Sequence, residues 1–327
     1  MRIVTFFALF FCLSSSFSAL STITIKEGRW EQMKTFYHDL PVLVTGGAGF
    51  IGSHLVEKLV QLGANVTVLD DLSSGNVLNL KNVKNKIRFI QKSVEDIGAC
   101  MEATEGKAII FHLAAFISVP DSIKNPQRCH KTNVEGTFNI LEAARINKVK
   151  RFIFSSSAAV YGPVEQKCKE TMRCNPQSPY GTSKLIGELL CKQFSLNFGL
   201  KTVVLRYFNV FGDRQNPNGA YAAVVAKFRD LMGKNRPVTI FGDGMQMRDF
   251  IPVENVVEAN LILAMLDQMD GQIFNIGTGQ SINLLELIDI LKQEFPGYDQ
   301  KAIFKPARPG DIKYSAADCS KYQSITT

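Results

Sequence analysis

Tyr180 and Lys184, four residues apart, form a pair in this 327-residue chain with the means to move a proton. Residues four apart share one face of a helix. An ammonium beside a phenol favours the phenolate, which can then act as a general base near neutral pH. The same spacing also arises by chance on helix surfaces, so a third group matters. The apolar run Arg151–Phe154 leads into Ser155-Ser156-Ser157. The carboxyl end of a strand is where open α/β sheets bind ligands. The Ser157 hydroxyl there could hold the oxygen whose proton Tyr180 removes.

A second constellation reads Thr45-Gly46-Gly47-Ala48-Gly49-Phe50-Ile51-Gly52. Glycines here let the turn be tight and let the backbone approach a pyrophosphate, which the free N–H groups and dipole of a helix N-terminus attract. Two spacings fit, Gly47/Gly49/Gly52 and Gly46/Gly49/Gly52. The context strengthens both. The apolar run Pro41–Thr45 precedes the turn, and helical spacing through Ile51, Leu55, Leu59 and Val60 follows it. Asp70 ends the next strand candidate, Val66–Leu69. An acid there accepts the ribose hydroxyls and repels a 2′-phosphate, which points to NAD over NADP.

The elements that must hold these residues can be read from the same pattern. Further strand candidates are Ile87–Gln91, Ala108–His112, Arg151–Ser155 and Thr202–Arg206, with helical stretches at Asn133–Ile146 and Tyr180–Phe198. Alternating strands and helices imply βαβ units, and hence an α/β fold with a doubly wound parallel sheet. After about Asn209 the pattern becomes irregular, with helices near Asn255–Leu266 and Leu284–Phe295. The expected layout is an extension over 1–38, a Rossmann-like nucleotide domain over 39–209 and a smaller α/β substrate domain over 210–327.

Composition narrows the function classes. The chain is 46% hydrophobic and 20% charged, ordinary for a globular protein, and its net charge of +7 comes without a dense Lys/Arg run. With one Trp and no stacking platform, the basic balance favours anionic small molecules over nucleic acid. Seven Cys without a C-x-x-C pair fit a reducing compartment. The four His lack metal-ligand spacing, so no metal site is expected. Residues 1–20 have a charged start, a short apolar core and small residues, the pattern of a targeting segment. The alternative is a plain extension, and the expected location, given the cofactor, is the cytoplasm without a stable membrane anchor.

Six motifs appear in order: the glycine turn, His112-Leu-Ala-Ala115, Ser155-Ser-Ser-Ala-Ala-Val-Tyr-Gly162, Ser178-Pro-Tyr-Gly-Thr-Ser-Lys184, Arg206-Tyr-Phe-Asn-Val-Phe-Gly212 and Arg248-Asp-Phe-Ile251. Together they resemble the extended short-chain dehydrogenase/reductase group, in particular the UDP-glucose 4-epimerase family. The stretch Arg206–Val224 is more similar to the UDP-N-acetylglucosamine branch. The resemblance implies an NAD-dependent inversion of carbon 4 of a UDP-sugar through a 4-keto sugar, in a homodimer. It implies Ser157, Tyr180 and Lys184 as the catalytic group. Gly46, Gly49, Phe50, Ile51, Gly52, Asp70, Ser93 and Asn133, with Tyr180 and Lys184, would line the cofactor. Asn209, Arg248 and Arg308 would hold the UDP pyrophosphate, Phe241 would face the uracil, and Asp311 would bind the uridine ribose. Ser315 would leave room for an N-acetyl group where UDP-glucose-restricted members carry a Tyr.

The chain also departs from the family. Ser93 stands where many members have an Asp near the adenine, and Ile117 where some have a Lys. The similarity ends near Asp318, where members usually continue through another helix or two, and losing those would expose apolar surface. Ala158 and Ala159 stand where related dehydratases and decarboxylases carry acids. That disfavours both; a UDP-glucuronate 4-epimerase and a non-catalytic NAD-binding scaffold or redox sensor are the other readings.

Overall fold

The structure, a computed structural model, describes residues 27–216, 224–307 and 312–326. In chain order the elements of the larger body are α1 (Glu27–Tyr37), β1 (Pro41–Thr45), α2 (Phe50–Gln61), β2 (Asn65–Leu69), β3 (Ile87–Ile90), α3 (Ile97–Thr104), β4 (Ile109–His112), α4 (Val119–Lys124), α5 (Pro126–His130), α6 (Gly136–Ile146), β5 (Arg151–Ser157), α7 (Pro179–Phe198) and β6 (Lys201–Tyr207). There follow β7 (Asn209–Phe211), α8 (Val224–Gly233), β8 (Thr239–Phe241), β9 (Met247–Arg248), β10 (Phe250–Pro252), α9 (Val253–Met265), β11 (Gln272–Ile276), α10 (Leu284–Lys292), β12 (Ile303–Lys305), β13 (Tyr314–Ser315) and α11 (Ser320–Thr326).

Seven strands make one parallel sheet in the order β11-β6-β5-β4-β1-β2-β3. Both faces are covered, which explains why the strands read as unbroken apolar runs. Alternate side chains serve opposite layers. Val42, Val44, Val66 and Val68 pack with α2 and α9 on one face, whereas Leu43, Leu69, Ile110, Phe152 and Phe154 pack with α3, α6 and α7 on the other. The strand order reverses between β1 and β4, the place where doubly wound sheets open a ligand crevice.

The chain crosses the boundary expected at residue 209. After building β7, α8 and β8 it returns through α9, which packs on the main sheet, and then adds β11 beside β6. A second core gathers Phe211, Phe228, Ile240, Phe250, Leu287 and Leu291 from α8, α10 and the short strands. Helix α1 also belongs to the main core. Met33 and Tyr37 are fully buried, the Tyr37 hydroxyl donates to the Leu261 carbonyl at 2.8 Å, and the Lys58 ammonium lies 4.0 Å from the Trp30 ring centre. Its apolar face, Trp30, Met33, Phe36 and Tyr37, is short and set among charges, so its periodicity alone is weak. Among the described residues no helix is long and apolar enough to cross a membrane.

Candidate active site

The glycine turn lies at the reversal of strand order. Gly46 has φ +68°, and a Cβ there would meet the Ala114 amide nitrogen at 2.7 Å. A Cβ on Gly52 would fall 2.1 Å from the Gly46 carbonyl oxygen, so only glycine lets α2 start this close to the turn. Gly49 caps α2, and Phe50 and Ile51, both half-buried, open its first turn. The first N–H groups of a helix have no partner within it and face an anion readily. Asp70 follows β2, is buried, and accepts from the Ala48 and Leu72 amides at 2.8 Å each. Burial pushes its carboxyl up, and those two amides pull it down. A cradle that a Cβ would fill, with a carboxylate at its rim, fits a dinucleotide.

The loop after β4 is braced by a directed chain of hydrogen bonds. The Ala114 amide donates to Thr45 Oγ1, which lies 2.7 Å from His112 Nδ1; His112 Nε2 lies 3.0 Å from Thr137 Oγ1, which donates to the Asn133 carbonyl. These partners fix a neutral His112 with its proton on Nε2. Burial and the nearby Lys184 charge push its pKa down to about 3, so it stays neutral.

Asn133 sits in a π-helical turn, 131–135, a distortion common near functional sites. Its amide holds both backbone groups of Phe116 and donates to Ser183 Oγ at 2.9 Å. Asn133 thus binds the loop after β4 to α7. Ser93, half-buried beyond β3, accepts from the Glu95 amide at 3.2 Å.

The proton-transfer group forms where β5 ends and α7 begins. Ser178 caps α7 and Pro179 occupies its first turn. Gly187 lets the helix press on the sheet, since a Cβ there would meet Phe154 at 2.3 Å. Tyr180 and Ser157 are half-buried, and Ser157 lies near enough to the Tyr180 phenol to draw its pKa down. Lys184 is buried, donates to the Ser155 carbonyl at 2.8 Å, and lies 6.0 Å from the Tyr180 ring centre. Burial pushes the Tyr180 phenol up, and Ser157 opposes that. Burial lowers Lys184 to about 8, while Cys129, Cys191 and Glu188 oppose the shift. In this arrangement the Lys184 ammonium is engaged by the Ser155 carbonyl and faces the Tyr180 ring.

Two supports had no signal in the motifs. The Ser122 hydroxyl accepts from the Tyr180 amide at 3.1 Å, which ties α4 to the head of α7. Glu188, one turn after Lys184, accepts from Ser156 Oγ at 2.5 Å and pairs with buried Arg206 at 2.6 Å. The (i, i+4) spacing of Lys184 and Glu188 could have drawn attention to it.

A second wall stands beside the ends of β5 and β6. Ser157 pairs with Tyr207 in register, and Asn209 follows two residues later. The Asn209 amide donates to the Asp249 carbonyl at 3.1 Å. Arg248 and Ser315 are register partners of β9 and β13, and both are half-buried. Phe241, half-buried, ends β8 on a separate ribbon opposite Lys305. Arg308 and Asp311 lie outside the described residues.

With this geometry in view, residues 42–277 match the NAD dependent epimerase/dehydratase family. The chain belongs to that family. As a family member it is an NAD-dependent enzyme, and the glycine cradle with Asp70 suits that cofactor. A UDP-glucose 4-epimerase of Mycolicibacterium smegmatis is 38% identical over 288 residues, covering 86% of this chain and 91% of its own. Among solved structures, the UDP-N-acetylglucosamine 4-epimerase of Methanobrevibacter ruminantium M1, in complex with UDP-N-acetylmuramic acid, is 39% identical with a TM-score of 0.85. It covers 89% of this chain and 93% of that one. The UDP-glucose 4-epimerase of Thermotoga maritima, with UDP-glucose, is 42% identical with a TM-score of 0.83, covering 87% and 92%.

Proposed function

We propose that this family member inverts carbon 4 of a UDP-sugar, with UDP-N-acetylglucosamine/UDP-N-acetylgalactosamine and UDP-glucose/UDP-galactose as its substrates. The observation that carries the reading is the convergence of Ser157 at the end of β5 with Tyr180 and buried Lys184 in the first turns of α7, Lys184 held by the Ser155 carbonyl. Ser157 orients the sugar 4-hydroxyl and holds the Tyr180 oxygen. Tyr180 takes the hydroxyl proton and later returns it. Lys184, held by the Ser155 carbonyl, contributes positive charge that favours the phenolate. When bound, NAD supplies the acceptor and donor of the carbon-4 hydride. Gly46, Gly49, Phe50, Ile51, Gly52 and Asp70 would hold it, with Ser93 near the adenine and Asn133 bracing the loop that borders it.

On the substrate side, Asn209 and Arg248, with Arg308, would take the pyrophosphate, since guanidinium groups make charge-assisted contacts with phosphate oxygens. Phe241 would face the uracil and Asp311 the ribose. Ser315, in register with Arg248, supports acceptance of N-acetylated sugars because its small side chain leaves space at that strand. Residues 39–209 thus carry most of the cofactor site and 210–327 most of the substrate site. Exposed Phe138, Leu189, Leu196 and Phe198 on α6 and α7 support a homodimer through those helices. The cofactor supports a cytoplasmic location. Incubation with UDP-N-acetylglucosamine and with UDP-glucose, followed by NMR, tests the reading. The expected result is the 4-epimer of each; no conversion of either would overturn it.

A further inference from the structure

The Arg248-Asp-Phe-Ile251 run supplies one residue to the proposed substrate wall, and its neighbour Asp249 has as yet no role. Asp249 is fully buried. Its Oδ1 accepts from the Thr278 amide at 2.8 Å and the Thr278 hydroxyl at 2.7 Å, and its Oδ2 from the Gly279 amide at 2.9 Å and the Ala317 amide at 3.1 Å. Its backbone carbonyl accepts from the Asn209 amide nitrogen and side chain, and its amide donates to the Ser315 carbonyl at 2.9 Å. Only an ionised carboxylate accepts at both oxygens from so many donors. Burial pushes its pKa up, and those hydrogen bonds pull it part of the way back.

These contacts join three segments that sequence keeps far apart. Asn209 follows β6, Ser315 and Ala317 lie in the C-terminal ribbon, and Thr278 and Gly279 follow β11. Strand β11 is fixed to β6 in register, Ile276 against Tyr207. Tyr207 is itself in register with Ser157. The Asp249 carboxylate therefore ties the substrate wall to the catalytic end of the sheet.

We propose that Asp249 is a positioning residue: it sets where Asn209, Arg248 and Ser315 stand relative to the catalytic sheet, and so governs nucleotide-sugar affinity rather than the chemical step. The proposal rests on the UDP-sugar reading above. In Asp249→Asn an amide group faces two of the four donors, and one side of the tie is lost. Thr278→Val removes one hydroxyl donor with little change of shape.

The test uses the NAD-loaded protein and measures UDP affinity by calorimetry, alongside kcat, KM and NAD affinity. Asp249→Asn should raise both the UDP Kd and the sugar KM by about tenfold or more, with kcat within about threefold and NAD affinity within about twofold, since lost ground-state binding moves KM alone. Thr278→Val should move Kd and KM the same way by about two- to fivefold. A fall in kcat with UDP Kd and KM unchanged overturns the proposal. If Asp249→Asn fails to fold, Thr278→Val decides, and an unchanged UDP Kd there overturns it. Wild-type protein that binds no UDP defeats both this proposal and the functional reading. Wild-type turnover with unaffected variants defeats this one alone.

Discussion

Replacing Gly52 by alanine tests the cofactor cradle with one methyl group. The added Cβ would sit 2.1 Å from the Gly46 carbonyl oxygen and 2.9 Å from the Gly47 Cα, where ordinary contact begins near 3.4 Å. Both obstacles are backbone, so no side-chain rotation relieves them. The turn and the first turn of α2 must part by about 1 Å, at an overpacking cost of about 1–3 kcal/mol. The same movement displaces the amides that face the pyrophosphate. Losing one charge-assisted hydrogen bond of about 1.5–3 kcal/mol weakens NAD binding roughly 10- to 100-fold. Calorimetric titration with NAD reads the affinity, and thermal unfolding reads the strain. Gly28→Ala is the reference, because a Cβ there meets nothing within 4 Å. If Gly52→Ala bound NAD within about threefold of wild type, the assignment of this turn to the pyrophosphate would be refuted.

Tyr180→Phe keeps the ring and removes the proton acceptor, so turnover should fall by about two or more orders of magnitude while NAD and UDP still bind; a near wild-type rate removes Tyr180 from the mechanism. Asp70→Ala should weaken NAD and relax discrimination against NADP, because the carboxylate that would repel a 2′-phosphate is gone; competition binding of the two cofactors measures this, and an NADP-preferring wild type contradicts it. Ser315→Tyr should exclude N-acetylated sugars and leave UDP-glucose turnover largely intact; equal loss of both would make the position structural. Lys184 is charged below about 8 and neutral above. The ammonium supports the phenolate, so turnover should fall as pH rises through that value. Lys184→Met should turn over slowly without that alkaline limb, and an identical limb in the variant would assign it to another group.

The nucleotide-binding half was legible because its signals are local. Parallel strands buried on both faces leave unbroken apolar runs, and the turn after β1 needs glycine at fixed places. Asp70 and the Tyr180/Lys184 pair stand at element ends that the same pattern locates. What the sequence left hidden depends on distant segments meeting. Strand β11 joins the sheet only after the chain has left it to build β7, α8 and β8, so no local pattern ties 272–276 to β6. Helix α1 has an apolar face of four residues and owes its place to α9. Asn133 lay within a predicted helix, but its π turn and its hold on Phe116 and Ser183 required the loop after β4 to be in view. Asp249 had an informative neighbour, yet its partners come from residues 209, 278, 279, 315 and 317.

The central claim is that this site inverts carbon 4 by removing and returning one hydrogen within a closed site. UDP-N-acetylglucosamine carrying deuterium at carbon 4 measures this directly, with the product followed by NMR in ordinary water. The account predicts a UDP-N-acetylgalactosamine product that keeps its deuterium at carbon 4. A 4-epimer with solvent hydrogen at that carbon, or a product altered elsewhere on the ring, would contradict it.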